Sequence, residues 1–114
     1  MKKILIIDDS KQVRLFLKEA FSAQDFDVYE AENGKHGITI YNLCKPDLIF
    51  CDLEMPFMNG IEFAQYLHLQ HQDKITLMTA TPLDLLPEEY FYTQGVDKII
   101  HKSQLTNDLK EFTN

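Results

Sequence analysis

The chain has 114 residues, 45% of them hydrophobic, which is the material of one ordinary domain and excludes an enzyme with a separate substrate domain. Eleven basic side chains stand against eighteen acidic ones, and the net charge of −7 argues against nucleic acid or anionic lipid as a direct partner. The N-terminal segment lacks the pattern of a signal peptide, and no apolar run approaches the roughly 20 residues that span a bilayer. With Cys44 and Cys51 forming no disulfide framework, the sequence predicts a cytoplasmic protein without a membrane partner.

Five segments have the patterns of β-strands. Residues 27–31 alternate between polar and apolar side chains, which predicts a half-exposed edge strand. The other four segments are continuously apolar, as is typical of parallel strands covered on both faces. They are residues 4–7, 48–51, 75–78 and, more weakly, 96–100.

Helical patterns fill the intervals between these strands. Residues 13–21 carry apolar side chains at helical spacing, and Ser10 precedes them as a candidate N-cap. Pro87 suits the first position of a fourth helix that Gly95 closes. The remaining predicted helices are centred on residues 37–41, 60–67 and 103–112.

This alternation of strand and helix continues along residues 1–114 without a linker or repeat, so it predicts one α/β domain. Right-handed crossovers then favour a doubly wound, five-stranded parallel sheet with helices on both faces. In such a sheet the ligands bind at the carboxyl ends of the strands. The residues that follow the strands are therefore the candidates for function.

Polar side chains follow four of the five predicted strands. Asp8 and Asp9 follow the first, Asp52 the third, Thr79 the fourth and Lys102 the fifth, and parallel strands would bring them to one edge. Three crowded carboxylates repel one another and need a cation, and hard oxygen ligands suit Mg²⁺, with Mn²⁺ as an alternative. A metal, a hydroxyl and an ammonium would together neutralise a phosphoryl group arriving at a carboxylate. The pattern predicts a Mg²⁺-dependent site that accepts a phosphoryl group.

The whole chain resembles the receiver domains of response regulators, the phosphoacceptor modules of two-component signalling and phosphorelays. The resemblance implies a flavodoxin-like fold with strand order 2-1-3-4-5. Each matching segment alone is a weak signal, but their order and spacing are very specific. They are residues 4–10 (ILIIDDS), 46–60 (PDLIFCDLEMPFMNG), 78–80 (MTA) and 95–97 (GVD), the last leading to Lys102.

The resemblance also implies a role for each matching residue. Asp52 would be the phosphoacceptor, forming an aspartyl phosphate, and Thr79 and Lys102 would contact the phosphoryl oxygens. The domain would be a signalling switch rather than an enzyme with a substrate of its own, because it would catalyse only its own phosphorylation and dephosphorylation.

The same resemblance implies a metal-binding set. Asp9 and Asp52 would bind Mg²⁺ through their carboxylates and Glu54 through its backbone carbonyl, while Asp8 would act mostly through water.

A sensor histidine kinase or a histidine phosphotransfer protein would donate the phosphoryl group. The output would pass to a downstream effector protein or to an attached output domain. Two alternatives stay open: a degenerate receiver that binds proteins constitutively, and a phosphatase of the haloacid dehalogenase type. The second is disfavoured because those enzymes carry the nucleophile in an Asp-x-Asp after the first strand, whereas Asp8 and Asp9 are contiguous.

The chain departs from the family pattern near its predicted output surface. Ile99 occupies the position of a common aromatic switch, and Ser103 replaces the proline that usually follows the lysine. Pro82 and Pro87 should delay the start of the fourth helix. We therefore expect the report of phosphorylation to depend on Thr79 and the following loop rather than on the fifth strand.

Overall fold

The computed structural model describes residues 1–68 and 74–105. A sheet of five parallel strands has the order β2-β1-β3-β4-β5, as the sequence predicts. The strands are β1 Lys3–Ile7, β2 Asp27–Ala31, β3 Leu48–Asp52, β4 Ile75–Thr79 and β5 Lys98–His101. The helices are α1 Lys11–Ser22, α2 Gly34–Cys44, α3 Gly60–His68 and α4 Glu88–Thr93, with short 3₁₀ turns at Leu83–Leu85 and Lys102–Gln104.

The alternation of side chains along the strands divides the core into two layers. On one face, Leu5 and Ile7 of β1 belong to an apolar cluster that includes Tyr41 of α2, Phe63 of α3 and Phe91 of α4. On the other face, the remaining apolar residues of β1 and β3 pack with side chains of α1. Helices therefore cover both faces of the sheet, which explains why the central strands are continuously apolar.

The start of α1 shows how the local sequence sets an element. Ser10 has extended backbone angles, and its side chain accepts a hydrogen bond from the Val13 N–H at 3.3 Å. This N-cap satisfies one of the backbone donors that a helix leaves unpaired at its first turn. Leu17 and Phe21 then face the sheet and are fully buried. The predicted cap and the predicted helix face are both present.

The second half of the chain differs from the sequence prediction in two boundaries. The fifth strand was predicted at residues 96–100, but β5 is Lys98–His101, because the Val96 N–H still bonds the end of α4 through the Phe91 carbonyl at 3.4 Å. The fourth helix begins at Glu88, and Pro87 lies just outside it as the cap residue. A 3₁₀ turn, Leu83–Leu85, occupies the segment in which the prolines delay α4.

Two further predictions concern an edge of the sheet and the C-terminal segment. The strand 27–31 was predicted to be an edge strand, and β2 is at one edge of the sheet with a partly exposed face. The short helix predicted at residues 103–112 lies largely outside the described residues. Among residues 1–68 and 74–105, no peptide bond is cis and no helix is long and apolar enough to cross a membrane.

Candidate functional site

The structure brings three carboxylates together at the carboxyl edge of the sheet. Asp8 and Asp9 follow β1 and Asp52 ends β3, and these two strands are neighbours in register, with Ile7 opposite Cys51. One oxygen from each carboxylate lies within 4.8 Å of the other two. Asp8 and Asp52 are almost completely buried, whereas Asp9 is exposed. We refer to these three residues as the acidic cluster.

Asp8 is held by contacts on both its side chain and its backbone. The Ser10 N–H donates to Asp8 Oδ1 at 2.8 Å, and Arg14 Nη1 donates to the Asp8 carbonyl at 2.6 Å. The Arg14 guanidinium is fixed in turn by Glu30 of β2, with Nε and Oε1 3.3 Å apart. Arg14 was not among the predicted site residues. Its position in the first turn of α1, next to the strand-end aspartates, was the only signal.

Lys102 spans two members of the acidic cluster. Its Nζ lies 3.1 Å from Asp8 Oδ2 and 3.4 Å from Asp52 Oδ1, and the lysine side chain is 23% exposed. Partial burial works against the ammonium, but the carboxylates of Asp8 and Asp52 outweigh it and raise the pKa of Lys102 above its usual value. Lys102 is therefore charged at neutral pH and supplies the cluster with one positive charge.

One ammonium does not neutralise three carboxylates, and the remaining repulsion affects the pKa of Asp52. Burial, followed by repulsion from Asp8, raises the pKa of Asp52 from 3.8 to about 7. Lys102 and the Glu54 N–H, which donates to Asp52 Oδ1 at 3.3 Å, oppose this shift without cancelling it. A divalent cation would supply the missing positive charge. The oxygen-only donor set fits Mg²⁺, which prefers hard carboxylate and carbonyl oxygens.

Thr79 lies next to this cluster, at the end of β4, and is fully buried. Its hydroxyl donates to the Glu54 carboxylate, at 2.8 Å from Oε2 and 3.0 Å from Oε1. The same oxygen accepts the Thr81 N–H at 3.0 Å. Only the backbone carbonyl of Glu54 was predicted to take part in the site, so these contacts of its side chain are an unpredicted feature.

His101 connects the loop after β4 to the residue after the lysine. The Ser103 N–H donates to His101 Nδ1 at 3.2 Å, and His101 Nε2 lies 3.0 Å from the Ala80 carbonyl oxygen. A proline at position 103 could not donate this bond, because proline has no N–H. Ile99, at the position of the usual aromatic switch, is buried in the core.

The loop between β3 and α3 is shaped by two unusual positions. Phe57 has a φ of 71°, a left-handed conformation that is rare for a bulky residue, and 80% of its surface is exposed. The Met58 N–H donates to the Pro56 carbonyl at 2.8 Å, so Phe57 is the centre of a strained γ-turn. Gly60 then starts α3 against β3, where a Cβ would lie 2.6 Å from the Asp52 carbonyl oxygen.

The two cysteines are buried thiols, and of these only Cys51 lies beside the acidic cluster, since Cys44 lies near Lys3 at the start of β1. Burial, with the Asp52 and Asp8 charges, raises the pKa of the Cys51 thiol well above its usual value. Burial also raises the pKa of Cys44, which ends α2. Both thiols are therefore protonated and weakly reactive at neutral pH, as expected for buried apolar filling.

Comparison with known proteins agrees with this geometry. The family model for the response regulator receiver domain matches residues 4–114. Sporulation initiation phosphotransferase F of Bacillus subtilis is 33% identical over 89 residues, covering 76% of this chain and 72% of the relative. The chemotaxis protein CheY of Listeria monocytogenes is 37% identical over 82 residues, covering 70% and 69%.

A solved structure has the same fold. The response regulator protein TrrA of Thermotoga maritima, determined in complex with Mg²⁺ and BeF, superimposes with a TM-score of 0.85 at 30% identity, covering 98% of this chain and 96% of TrrA. None of these matches supports a degenerate module or a haloacid dehalogenase. The five-stranded fold, the acidic edge and the family match together show that this chain belongs to the response regulator receiver domain family, the signalling switches of two-component systems.

Proposed function

We propose that residues 1–114 form one receiver domain that accepts a phosphoryl group on Asp52. The observation that carries this proposal is the environment of the Asp52 carboxylate. It is buried at a strand end, 3.4 Å from the Lys102 ammonium and within the acidic cluster, and an exposed turn residue would have none of these features. A further support is TrrA, whose structure was determined with Mg²⁺ and BeF.

The reaction is a phosphoryl transfer from a phosphohistidine. A carboxylate oxygen of Asp52 attacks phosphorus, the new O–P bond forms as the P–N bond breaks, and the electron pair of that bond returns to the donor imidazole. Asp52 thereby becomes an acyl phosphate. Positioning and charge stabilisation provide most of the catalysis in such transfers. Lys102 contributes here, because its ammonium already lies beside the attacking carboxylate.

The acidic cluster would hold the divalent ion. Asp9 and Asp52 would bind it through carboxylate oxygens and Glu54 through its backbone carbonyl, and Asp8 would act mostly through water. When bound, Mg²⁺ or Mn²⁺ neutralises negative charge on the phosphoryl oxygens. Asp8 and Lys102 keep the Asp52 carboxylate oriented, since they contact each other and Lys102 also contacts Asp52.

Receiver domains interact with kinases and effectors, and we propose the same partners for this chain. The donor would be a sensor histidine kinase or a histidine phosphotransfer protein, and the sporulation relative is likewise named for phosphoryl transfer. The recipient of the signal would be a separate effector or an attached output domain. A cytoplasmic location is part of this proposal, supported by two cysteines that are free thiols.

Labelling with a small phosphodonor tests the proposal without a kinase. Incubation with acetyl phosphate and Mg²⁺ should add one phosphate, read by intact mass, and Asp52→Asn should abolish it. Asp84→Asn is the matched control, because Asp84 is an exposed aspartate in the 3₁₀ turn and should leave labelling unchanged. Full labelling of the Asp52→Asn protein would show that another residue is the acceptor.

Metal binding is tested separately with Asp9. Asp9→Ala should weaken Mg²⁺ binding in a calorimetric titration while the chain stays folded, since the change relieves repulsion at the acidic cluster. If Mg²⁺ affinity survives this change, Asp9 is only a turn residue.

A further inference from the structure

Glu54 links the acidic cluster to the end of β4. Its N–H donates to Asp52 Oδ1 at 3.3 Å, and its carboxylate accepts the Thr79 hydroxyl at 2.8 and 3.0 Å. A second hydroxyl from the following loop, that of Thr81, donates to Glu54 Oε2 at 3.3 Å. One exposed carboxylate therefore holds two side chains of the segment between β4 and α4.

The Thr79 hydroxyl has only one proton to donate. In this structure that proton is directed to Glu54, and the hydroxyl oxygen is occupied as the acceptor of the Thr81 N–H. The oxygens of a phosphoryl group on Asp52 would be acceptors as well. Thr79 can therefore donate to the phosphoryl group only after it leaves Glu54.

We propose that Glu54 is a positioning residue, acting through Thr79, whose carboxylate competes with the phosphoryl group for the Thr79 hydroxyl. The inference rests on the proposed function, because it requires a phosphoryl group on Asp52. Glu54 then stabilises the resting arrangement of the β4–α4 segment. The free energy gained when Thr79 contacts the phosphoryl group is therefore reduced by the free energy needed to release Thr79 from Glu54. This role belongs to the side chain and is separate from the metal contact proposed for the backbone carbonyl.

The length of the side chain separates this role from a simple charge effect. Glu54→Asp keeps the negative charge but shortens the side chain by one methylene, so the carboxylate no longer reaches Thr79. Thr81→Val keeps Glu54 and removes one of its two hydroxyl partners. Glu62→Asp is the matched control, because Glu62 is an exposed glutamate that accepts the Asn59 N–H at the start of α3.

Beryllofluoride, a phosphoryl mimic, provides an equilibrium readout at saturating Mg²⁺. Hydrogen bonds to charged groups contribute more than neutral ones, but Glu54 is exposed, so we expect Glu54→Asp to bind beryllofluoride roughly three- to tenfold more tightly than the wild type. Thr81→Val should tighten binding by about twofold, since it weakens only one of the two anchors. Glu62→Asp should match the wild type. The affinity for Mg²⁺ alone should change by less than about twofold in Thr81→Val and Glu62→Asp, since neither residue belongs to the proposed metal set and the net charge is unchanged.

Amide spectra report the same competition at the residues involved. Without beryllofluoride, Glu54→Asp should shift the Ala80 and Thr81 signals toward their positions in the beryllofluoride-bound wild type. The inference is overturned if the wild type binds beryllofluoride but Glu54→Asp binds it equally or less tightly. If the wild type with Mg²⁺ binds no beryllofluoride at all, the proposed function itself fails. If Glu54→Asp does not fold, unchanged affinity in Thr81→Val overturns the inference.

Discussion

Replacing Asp52 with asparagine should stabilise the metal-free domain at alkaline pH. Asp52 has a pKa of about 7 in the folded chain against an ordinary value of 3.8, a difference of about three units. At 1.36 kcal/mol per unit, ionising this carboxylate in the folded state costs about 4 kcal/mol. The asparagine side chain cannot ionise, so the variant avoids this cost. The gain is reduced by the weaker attraction between the amide and the Lys102 ammonium. We expect Asp52→Asn to raise the free energy of unfolding by about 2–4 kcal/mol at pH 8.

The sign of the pH dependence follows from proton binding. Between pH 4 and 7 the folded wild type holds a proton on Asp52 that the unfolded chain has released, so this group favours folding most below pH 4. Its contribution is lost as the pH rises to 7 and is constant above that. The stability difference between variant and wild type should therefore be small at pH 4, grow up to pH 7 and then level off.

Urea unfolding in the presence of a chelator measures this difference, with circular dichroism as the signal because the chain has no tryptophan. Asp84→Asn, which neutralises an exposed carboxylate, should change stability by less than about 0.5 kcal/mol. Saturating Mg²⁺ should stabilise the wild type more than Asp52→Asn. A variant that is less stable than the wild type at pH 8, or a difference independent of pH, would refute the electrostatic argument.

Substitutions at three other positions test the packing around the site by the same unfolding measurement. Lys102→Met should destabilise the metal-free domain by about 2 kcal/mol at pH 8 and by less at pH 5, because it leaves two buried carboxylates uncompensated. An equal loss of stability at pH 8 and pH 5 would contradict this. Gly60→Ala should lower the free energy of unfolding by about 1–3 kcal/mol and slow acetyl phosphate labelling, since the new Cβ would lie 2.6 Å from the Asp52 carbonyl oxygen. An unchanged rate of labelling would show that the end of β3 tolerates this displacement. Phe57→Gly should stabilise the domain by about 1 kcal/mol, because glycine adopts a φ of 71° without strain, whereas Phe57→Ala should bring no such gain.

The sheet order and the meeting of acidic residues were predictable because both follow from general rules. Continuously apolar strands require cover on both faces, and parallel strands place their carboxyl ends at one edge. Asp8 and Asp52 are in fact buried at neighbouring strand ends, and Lys102 reaches both. Position along the chain was sufficient for these residues, because the strand end alone brings them together.

The contacts made by Glu54, Arg14 and His101 were not predictable in the same way. Each depends on the direction of one side chain across a loop, which no periodicity encodes. Glu54 was predicted to contribute its backbone carbonyl, yet its carboxylate accepts a hydrogen bond from the Thr79 hydroxyl. The start of β5 was misplaced because Val96 is apolar but completes the end of α4 with its backbone N–H. Hydrogen bonding, rather than apolarity, decided that boundary.

The reach of Lys102 has a consequence for local stability. In the described part of the chain β5 pairs only with β4, and β1 lies three strand spacings away, about 14 Å at 4.8 Å per spacing. A single ammonium nevertheless connects the end of this edge strand to Asp8 beside β1. Any change in charge at Asp52 alters that tether, so we expect it to alter how often β5 opens in amide hydrogen exchange. If Asp52 is phosphorylated as proposed, the two states of the domain would therefore differ in the local unfolding of β5, in addition to the rearrangement proposed for the segment between β4 and α4.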